Sequence, residues 1–357
     1  MKIHAVNAAA PPPLASPCTD KIYSRRSMRL RMISSLTLGL LLALADVSHG
    51  EQPARLVKLS RNETTQAFDF ETPVMSGSIR AEGNYHGVSR LVDKKSGRSL
   101  LDARYSALNL FRLFSVNLGM GTPRTMKSTV RATDTAVEIT WPATPEHQGV
   151  ITARYEVREP DTIDLHLTLR CKGTYAGYEL LLPNYFESSM VPHVYLLRRA
   201  IGDKAPAADL VVPGFSEVYR GCSLVFPRDA HAARRPLDGR WNRSEFGASV
   251  APFFPLRHYA HPVVFMTDAE KTLAVVMMMK RESCSAISAR YFTEKPQERA
   301  SSYSAVDFLV FGDDLLPGDV RTADVRLVLT PLDAEMSQPL RLHEKFLSEP
   351  DSPKPKP

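Results

Sequence analysis

The chain has 357 residues, with 45 Lys and Arg against 39 Asp and Glu, and a formal net charge of +6. Residues 1–50 hold six of the basic and two of the acidic residues, so the remainder is nearly neutral at +2. A nucleic-acid-binding function that depends on a globally basic chain is therefore excluded. About 300 residues are enough for one large domain or two ordinary ones.

The N-terminal segment has the three parts of a secretory signal peptide. Four arginines between residues 25 and 31 are followed by an apolar stretch, residues 33–45, and then by small residues up to Gly50. The apolar stretch is shorter than the roughly 20 residues of a spanning helix, so we expect cleavage, with an uncleaved anchor as the alternative. This predicts a secreted or periplasmic protein that makes no membrane contact after cleavage.

From residue 55 onward the chain is a succession of short strand-like runs. Residues 78–82 and 87–93 flank a turn at Gly83-Asn84, and residues 92–102 predict strand, polar turn and strand. The run Ile163–Cys171 is apolar at every second position, which is typical of a half-buried strand. Trp141 lies in another alternating run and is predicted to be a core residue.

Residues 229–261 interrupt this alternation. Long irregular segments in strand-rich domains are usually functional or disordered, and the aromatic residues here favour a packed, functional loop. The imidazoles of His231 and His258, with Glu245 and Tyr259, are the predicted acid–base residues. The candidates for ligand binding in the same segment are Arg240, Trp241, Asn242 and Arg257, because an indole stacks on a sugar ring while Arg and Asn bind its oxygens.

After this segment, Leu273–Met279 is apolar at every position and predicts a central strand covered on both faces. A single helix is predicted near Leu332–Leu347, with Pro339 interrupting its apolar pattern, and the tail 348–357 is predicted to be disordered. Many short strands and one helix predict an all-β protein, a large antiparallel two-sheet β-sandwich. We assign it to one domain, residues 55–347.

The cysteines and the known motifs exclude several kinds of site. Cys171, Cys222 and Cys284 follow the leader, and no Cys-x-x-Cys pair occurs, so a zinc-finger site is not predicted. One disulfide with a buried thiol, or three reduced cysteines, are both compatible with the sequence. No cofactor and no metal are predicted.

Three segments resemble galactose-mutarotase-like (aldose epimerase-like) domains. Residues 85–102 are similar to the opening hairpin, residues 177–186 to the middle strand, and residues 315–329 to a late turn and closing strand. The resemblance implies a β-supersandwich whose concave face binds a saccharide, with Asn184 of the middle strand as a binding residue. Aldose mutarotases use a histidine acid and a glutamate base, but no histidine stands beside Asn184 here.

Three functional hypotheses follow. The first is a secreted carbohydrate-binding or carbohydrate-active protein, an epimerase or mutarotase if it is an enzyme. The second is a polysaccharide lyase, in which Tyr or His removes the proton next to a uronate carboxylate that Arg or Asn neutralises. The third is a non-catalytic envelope module. The expected partner is a saccharide or polysaccharide and not nucleic acid; the sequence does not indicate an oligomeric state.

Overall fold

The computed structural model describes residues 55–116, 120–198, 207–214, 222–234, 257–290, 292–293, 295–299 and 301–350, together with the backbone of 252–253. All of them belong to one unit, Gln52–Pro357. The predicted leader, residues 1–50, and the tail beyond residue 350 lie outside the described residues. Within the described part of the chain, no helix combines the length and apolar character needed to cross a membrane.

Nineteen strands and one α-helix follow one another in the described residues. The first ten strands are β1 (Ser60–Arg61), β2 (Phe68–Glu71), β3 (Met75–Arg80), β4 (Gly87–Asp93), β5 (Arg112–Phe114), β6 (Thr129–Ala132), β7 (Ala136–Trp141), β8 (Gly149–Arg158), β9 (Thr162–Cys171) and β10 (Tyr175–Glu187). The others are β11 (Val191–Leu197), β12 (Ala208–Val211), β13 (Ser223–Pro227), β14 (Pro252–Phe253), β15 (Tyr259–Thr267), β16 (Leu273–Met279), β17 (Cys284–Arg290), β18 (Tyr303–Leu315) and β19 (Val320–Pro331), followed by α1 (Gln338–Ser348).

These strands form three sheets. A four-stranded sheet has the order β1-β2-β3-β4, and a six-stranded sheet has the order β14-β13-β17-β18-β10-β5. A nine-stranded sheet has the order β12-β11-β15-β16-β19-β9-β8-β7-β6. All pairs are antiparallel except β13 with β14. Apolar residues of all three sheets share one main core, so the predicted all-β sandwich is confirmed.

The alternation in β9 explains how the nine-stranded sheet packs. Ile163, Leu165, Leu167 and Leu169 are buried in the main core, whereas His166 lies on the opposite, polar face. The prediction of a half-buried strand here is confirmed. Trp141 is also buried, as predicted, and its indole N–H donates to the Pro123 carbonyl at 2.9 Å.

The strand β16 is covered on both faces, as its continuous apolar sequence predicts. It lies between β15 and β19, with Met277 in the main core and Met278 in a second apolar cluster. That second cluster contains Phe346 of α1, so the helix covers this part of the sheet. The helix begins six residues later than predicted, because Pro339 stands in its first turn, where the missing N–H costs nothing.

The opening hairpin differs in part from the prediction. The strand β4 and its polar turn form as expected, with the Asp93 carboxylate accepting the backbone N–H of Ser96 at 2.9 Å. The return run makes only isolated bridges, at Ser99 and Leu101, instead of a strand. The three cysteines form no disulfide; Cys171 and Cys284 are buried and Cys222 is half-buried.

Candidate functional site

A buried carboxyl group, Asp307, stands on the face of the six-stranded sheet that is turned away from the main core. Asp307 of β18 is opposite Pro183 of β10 and Ser288 of β17. Its neighbours Val306 and Phe308 point into the main core, so Asp307 points the other way. The same alternation brings Tyr185 of β10 to the face of Asp307.

Four tyrosine rings gather at this face. Tyr185 contacts Tyr105 and Tyr303, with 4.8 Å between ring centres in each pair, and Tyr105 lies 5.1 Å from Tyr303. Tyr85 joins at 4.8 Å from Tyr105. Tyr185 is nearly buried, whereas the other three are half-buried. The rings therefore combine mutual packing with partly accessible aromatic surface.

Arg124 is held among these rings. Its guanidinium carbon lies 3.9 Å from the centre of the Phe111 ring and 4.6 Å from that of Tyr85. Its Nη2 donates to the Tyr185 hydroxyl at 3.1 Å, and its Nε donates to Asn109 Oδ1 at 2.8 Å. Stacking and hydrogen bonds together fix the position of the positive charge.

Arg290 supplies a second cation at the other end of the group. Its Nη2 donates to the Tyr303 hydroxyl and its Nη1 to Ser223 Oγ, both at 3.3 Å. We call the four tyrosines together with Arg124, Arg290 and Asp307 the tyrosine–arginine cluster. Among the described residues, no carboxylate forms an ion pair with Arg124 or with Arg290.

The environment of Asp307 changes its acidity. The residue is 6% exposed, and burial raises the pKa of its carboxyl to about 6, although the Ser288 hydroxyl, which donates at 2.6 Å, and the charge of Arg290 both oppose this. Burial also raises the pKa of Tyr185, to about 12, so its hydroxyl keeps its proton. The cluster thus places a carboxyl that titrates near neutrality beside a phenol that can donate a proton.

Two of the predicted site residues are committed to contacts elsewhere in the fold. Tyr259 is fully buried, and its hydroxyl donates to the Cys284 carbonyl at 2.7 Å; burial raises the pKa of this phenol far above its usual value. Arg257 is half-buried, and its Nη2 donates to Asp209 Oδ2 at 2.9 Å and to the Leu197 carbonyl at 3.1 Å.

The other described candidates do not contact these two residues through their side chains. His231 is exposed in a turn after β13, and His258 is half-buried just before β15. Asn184 is fully buried on the core side of β10, where its Oδ1 accepts the Leu108 N–H at 2.7 Å and its Nδ2 donates to the carbonyl oxygens of Leu182 and Val306. No side-chain hydrogen bond, ion pair or ring contact joins any two of these five described candidates.

The remaining candidates, Arg240, Trp241, Asn242 and Glu245, lie outside the described residues, and their roles stay predictions. The described residues hold no group of three or more His, Cys, Asp and Glu placed to bind a metal ion.

The sequence carries a signal for Asp307, which lies in a regular strand and outside the irregular segment 229–261. In Tyr303–Leu315, Asp307 is a single acidic residue within the run Ser-Ala-Val-Asp-Phe-Leu-Val-Phe. A charge in an otherwise apolar strand is costly unless it is partnered or functional. Tyr185 is the immediate neighbour of the predicted Asn184, and the two-residue period of a strand puts them on opposite faces.

Comparison with known proteins gives structural similarities only. No protein-family model matches the chain, and no curated protein does. Similar solved structures include a TPR-domain-containing protein from Parabacteroides distasonis, with 10% identity, a TM-score of 0.43 and coverage of 82% of this chain and 50% of that one. Galactose 1-epimerase from Lactobacillus acidophilus shares 9% identity at a TM-score of 0.40, over 78% of this chain and 99% of that one.

Heparan sulfate lyase from Pedobacter heparinus shares 8% identity at a TM-score of 0.40, over 78% of this chain. The chain spans only 37% of the length of that lyase. Neither the identities nor the TM-scores single out an activity.

Proposed function

We propose that the protein acts on a saccharide bound at the tyrosine–arginine cluster, and that Asp307 takes and returns a proton during the reaction. The observation that carries this proposal is a buried carboxyl with a pKa of about 6, placed near aromatic rings and two arginines that form no ion pair in the described residues. A group whose pKa lies near the working pH is well suited to acid–base catalysis.

The surroundings of Asp307 suit a sugar more than an apolar ligand. Half-buried tyrosine rings can stack on the C–H faces of a pyranose, and phenol and guanidinium groups can hydrogen-bond to its hydroxyls. Arg124 already donates to the Tyr185 oxygen, so the proton of that hydroxyl is free to be donated to a ligand oxygen.

An isomerase of the epimerase or mutarotase type needs one group that accepts a hydroxyl proton and another that donates to the ring oxygen. In this proposal Asp307 is the base, and Tyr185, whose pKa is about 12, is the donor. The reaction needs no cofactor. The signal peptide predicted for residues 25–50 would place it in a secreted or periplasmic setting.

A lyase acting on a uronate-containing polysaccharide is the second candidate. The observation in its favour is the charge on Arg124 and Arg290, because a base beside two cations can remove the proton next to a carboxylate that the cations neutralise. In this version Asp307 removes the C5 proton while the arginines hold the uronate carboxylate. The C4–C5 double bond forms as the C4–O glycosidic bond breaks, and the Tyr185 hydroxyl donates a proton to the leaving oxygen.

The test compares wild type with Asp307→Asn on a panel of aldoses and of uronate polysaccharides. Interconversion of sugar anomers or epimers by NMR reports the isomerase, and ultraviolet absorbance of an unsaturated uronate reports the lyase. We expect Asp307→Asn to lose activity by about 100-fold or more. The wild-type rate should fall as the pH drops through about 6.

Asp134→Asn is the matched control, because Asp134 is an exposed aspartate away from the cluster. Equal rates for wild type and Asp307→Asn would contradict the role of Asp307. Saccharide binding without turnover on the whole panel would favour the non-catalytic module instead.

The irregular loop is proposed to add to the site. Arg240, Trp241 and Asn242 are the residues expected to contact the sugar, with Glu245 as a further carboxylate. Glycan-array binding by wild type and Trp241→Ala tests this proposal, and unchanged binding would remove Trp241 from the site.

A further inference from the structure

A separate cavity of about 290 Å³ adjoins Arg124. It is near the lower end of the volumes usual for small-molecule sites, which start at about 300 Å³. Its lining residues are Ala81, Gly83, Asn84, His86, Pro123, Arg124, Thr125, Met126, Ser128 and Trp141. Arg124 is the one residue that this cavity shares with the tyrosine–arginine cluster.

The imidazole of His86 provides a fixed hydrogen-bond donor to this cavity. His86 is 2% exposed, and its Nε2 accepts the backbone N–H of Leu110 at 2.9 Å. Nε2 therefore carries no proton, and in the neutral ring the proton is on Nδ1. Nδ1 has no partner among the described residues and is not one of their fully enclosed unpaired polar atoms, which leaves it accessible.

The charge state of His86 follows from its surroundings. Burial, and then the charge of Arg124, lower the pKa of this imidazole to about 3. The ring is neutral at physiological pH and acts as a donor that brings no charge. His86 and Arg124 both line the cavity, so one ligand can meet both groups.

Arg124 has unused donors as well. Its Nε and Nη2 are bound to Asn109 and Tyr185, whereas no hydrogen bond to a described residue uses Nη1. The other polar lining residues are the exposed Asn84, Thr125 and Ser128, and the cavity lining contains no Asp or Glu. The cavity therefore has one positive charge, neutral donors and an aromatic wall at Trp141.

We propose that this cavity binds the carboxylate of a small organic acid or of a uronate sugar unit. A carboxylate has two planar oxygens, so Arg124 and the Nδ1–H of His86 can each bind one of them. Trp141, whose ring centre is 4.9 Å from that of His86, provides an apolar surface for the rest of the ligand. A metal cation is disfavoured, because the lining offers donors and a positive charge.

The two sources of the carboxylate differ in what surrounds it. A uronate unit would bring hydroxyls to the rim residues, and this version rests on the proposed function, since the cavity would then hold a sugar unit next to the one at Asp307. A free small carboxylate would need only His86 and Arg124.

Calorimetric titration with glucuronate, glucose and acetate separates these cases. We expect glucuronate to bind about tenfold or more tighter than glucose, because only glucuronate has the carboxylate. If glucuronate binds much more tightly than acetate, the ligand is a uronate unit. If the two bind with equal affinity, the ligand is a free small carboxylate. Equal binding of glucuronate and glucose, or no binding of any carboxylate, would overturn the proposal.

A blocking variant locates the binding. Ser128 is exposed on the rim of the cavity, so Ser128→Trp should fill it and weaken glucuronate binding about tenfold or more. Thr129→Trp is the matched control, because Thr129 is the exposed neighbour and does not line the cavity. Equal loss in both variants would point to an effect on β6 and count against the cavity.

The Asp307→Asn variant separates this inference from the proposed function. Glucuronate binding in the cavity should persist in Asp307→Asn even where turnover is lost. Loss of both would place glucuronate at Asp307 and overturn the cavity site. A third outcome is that Asp307→Asn retains turnover and Ser128→Trp abolishes glucuronate binding. This result would contradict the proposed role of Asp307 and support the cavity site.

Discussion

The two main sheets each carry a polar group on the face turned away from the core, and the two groups differ in how their charges are balanced. On the nine-stranded sheet, ionic contacts link β8, β9, β19 and the end of α1. This charge network consists of Arg154, Glu156, Arg158, Asp164, His166, Asp324, Arg326 and Glu349. On the six-stranded sheet, the tyrosine–arginine cluster has two arginines and a single acidic group.

Every contact in the charge network joins opposite charges. Arg326 donates to both oxygens of Asp164, at 2.7 and 3.0 Å. Although burial opposes it, hydrogen bonds to Asp324 and Glu156 raise the pKa of His166 to about 9, and the bond to His166 is the main cause that lowers the pKa of Glu156 to about 2. Both groups are shifted towards their charged forms, so the folded state is stabilised by them.

In the tyrosine–arginine cluster the pKa of the acidic group is shifted in the opposite direction, away from the charged form. Burial holds Asp307 towards its neutral form although the charges of Arg290 and Arg124 oppose this, and neither arginine forms an ion pair among the described residues. Such an arrangement costs folding free energy, and it leaves charge and proton-transfer capacity available for a ligand. Charges paired in ion pairs therefore mark the structural group, and arginines without an ion pair mark the candidate site.

The largest effect on stability is expected from breaking the charge network at Asp164. Its side chain is 4% exposed and pairs with Arg158 at 2.8 Å as well as with Arg326. Asp164→Ala leaves these arginines without their shared partner and should cost about 3 to 5 kcal/mol in chemical denaturation. The exposed pair of Glu71 with Lys94 is the control, and Glu71→Ala should have a much smaller effect on stability, because solvent screens this pair. Equal costs would show that the network is no more than a set of surface pairs.

Replacing Asp307 is expected to raise the stability of the fold instead of lowering it. Its pKa in the folded state, about 6, is above the ordinary value of 3.8, so the folded state binds more protons than the unfolded state between these values and stability falls as the pH rises. Above pH 6, Asp307→Asn should therefore be more stable than wild type, by up to about 3 kcal/mol. Denaturation curves at several pH values measure this difference.

The control for this gain is Asp134→Asn, which changes an exposed aspartate and should shift stability by less than about 0.5 kcal/mol at any pH. A loss of stability in Asp307→Asn at high pH would mean that the carboxylate is balanced in the folded protein. The contrast between the two sheets would then disappear.

The stabilising contribution of His166 to the charge network should be lost at high pH. Because the pKa of His166 is raised to about 9, its contribution is fully present below about 6.5 and is lost as the pH rises through about 9. Wild type should lose on the order of 2 kcal/mol between pH 7 and 10 relative to His166→Gln. Parallel curves for the two proteins over this range would refute a charged His166.

The sequence predicts the sheets better than the site, for a physical reason. Alternation in Ile163–Cys171 and the apolar run Leu273–Met279 depend on local periodicity, and both strands form as predicted. The helix forms as predicted, but its start was predicted six residues too early. Pro339 in an apolar pattern indicates an interruption, whereas here it lies in the first turn of the helix.

The candidate site depends on strand register and burial, which local sequence does not contain. Asp307 reaches Tyr185 only because β10 and β18 pair although more than a hundred residues separate them. Its raised pKa comes from burial. The composition of the irregular segment 229–261 predicts a functional site there. Two of its described candidates, Arg257 and Tyr259, instead bind neighbouring backbone and side-chain groups of the fold.

The smallest effect is expected from removing one hydroxyl of the tyrosine–arginine cluster. Tyr185→Phe keeps the ring contacts with Tyr105 and Tyr303, and Arg124 remains stacked on Phe111. Because Arg124 is only half-buried, water can replace the lost acceptor, and stability should change by less than about 1 kcal/mol. Activity should fall about tenfold if this hydroxyl donates to the ligand.

Tyr155→Phe is the matched change on the structural side. Tyr155 is fully buried, and its hydroxyl donates to the Leu108 carbonyl at 2.8 Å, so its removal leaves a buried acceptor unpaired and should cost about 1 to 3 kcal/mol. The two variants should therefore have different effects: Tyr155→Phe loses stability, and Tyr185→Phe loses activity. If Tyr185→Phe lost stability and kept full activity, its hydroxyl would belong to the scaffold, because a proton donor in the reaction cannot be removed without lowering the rate.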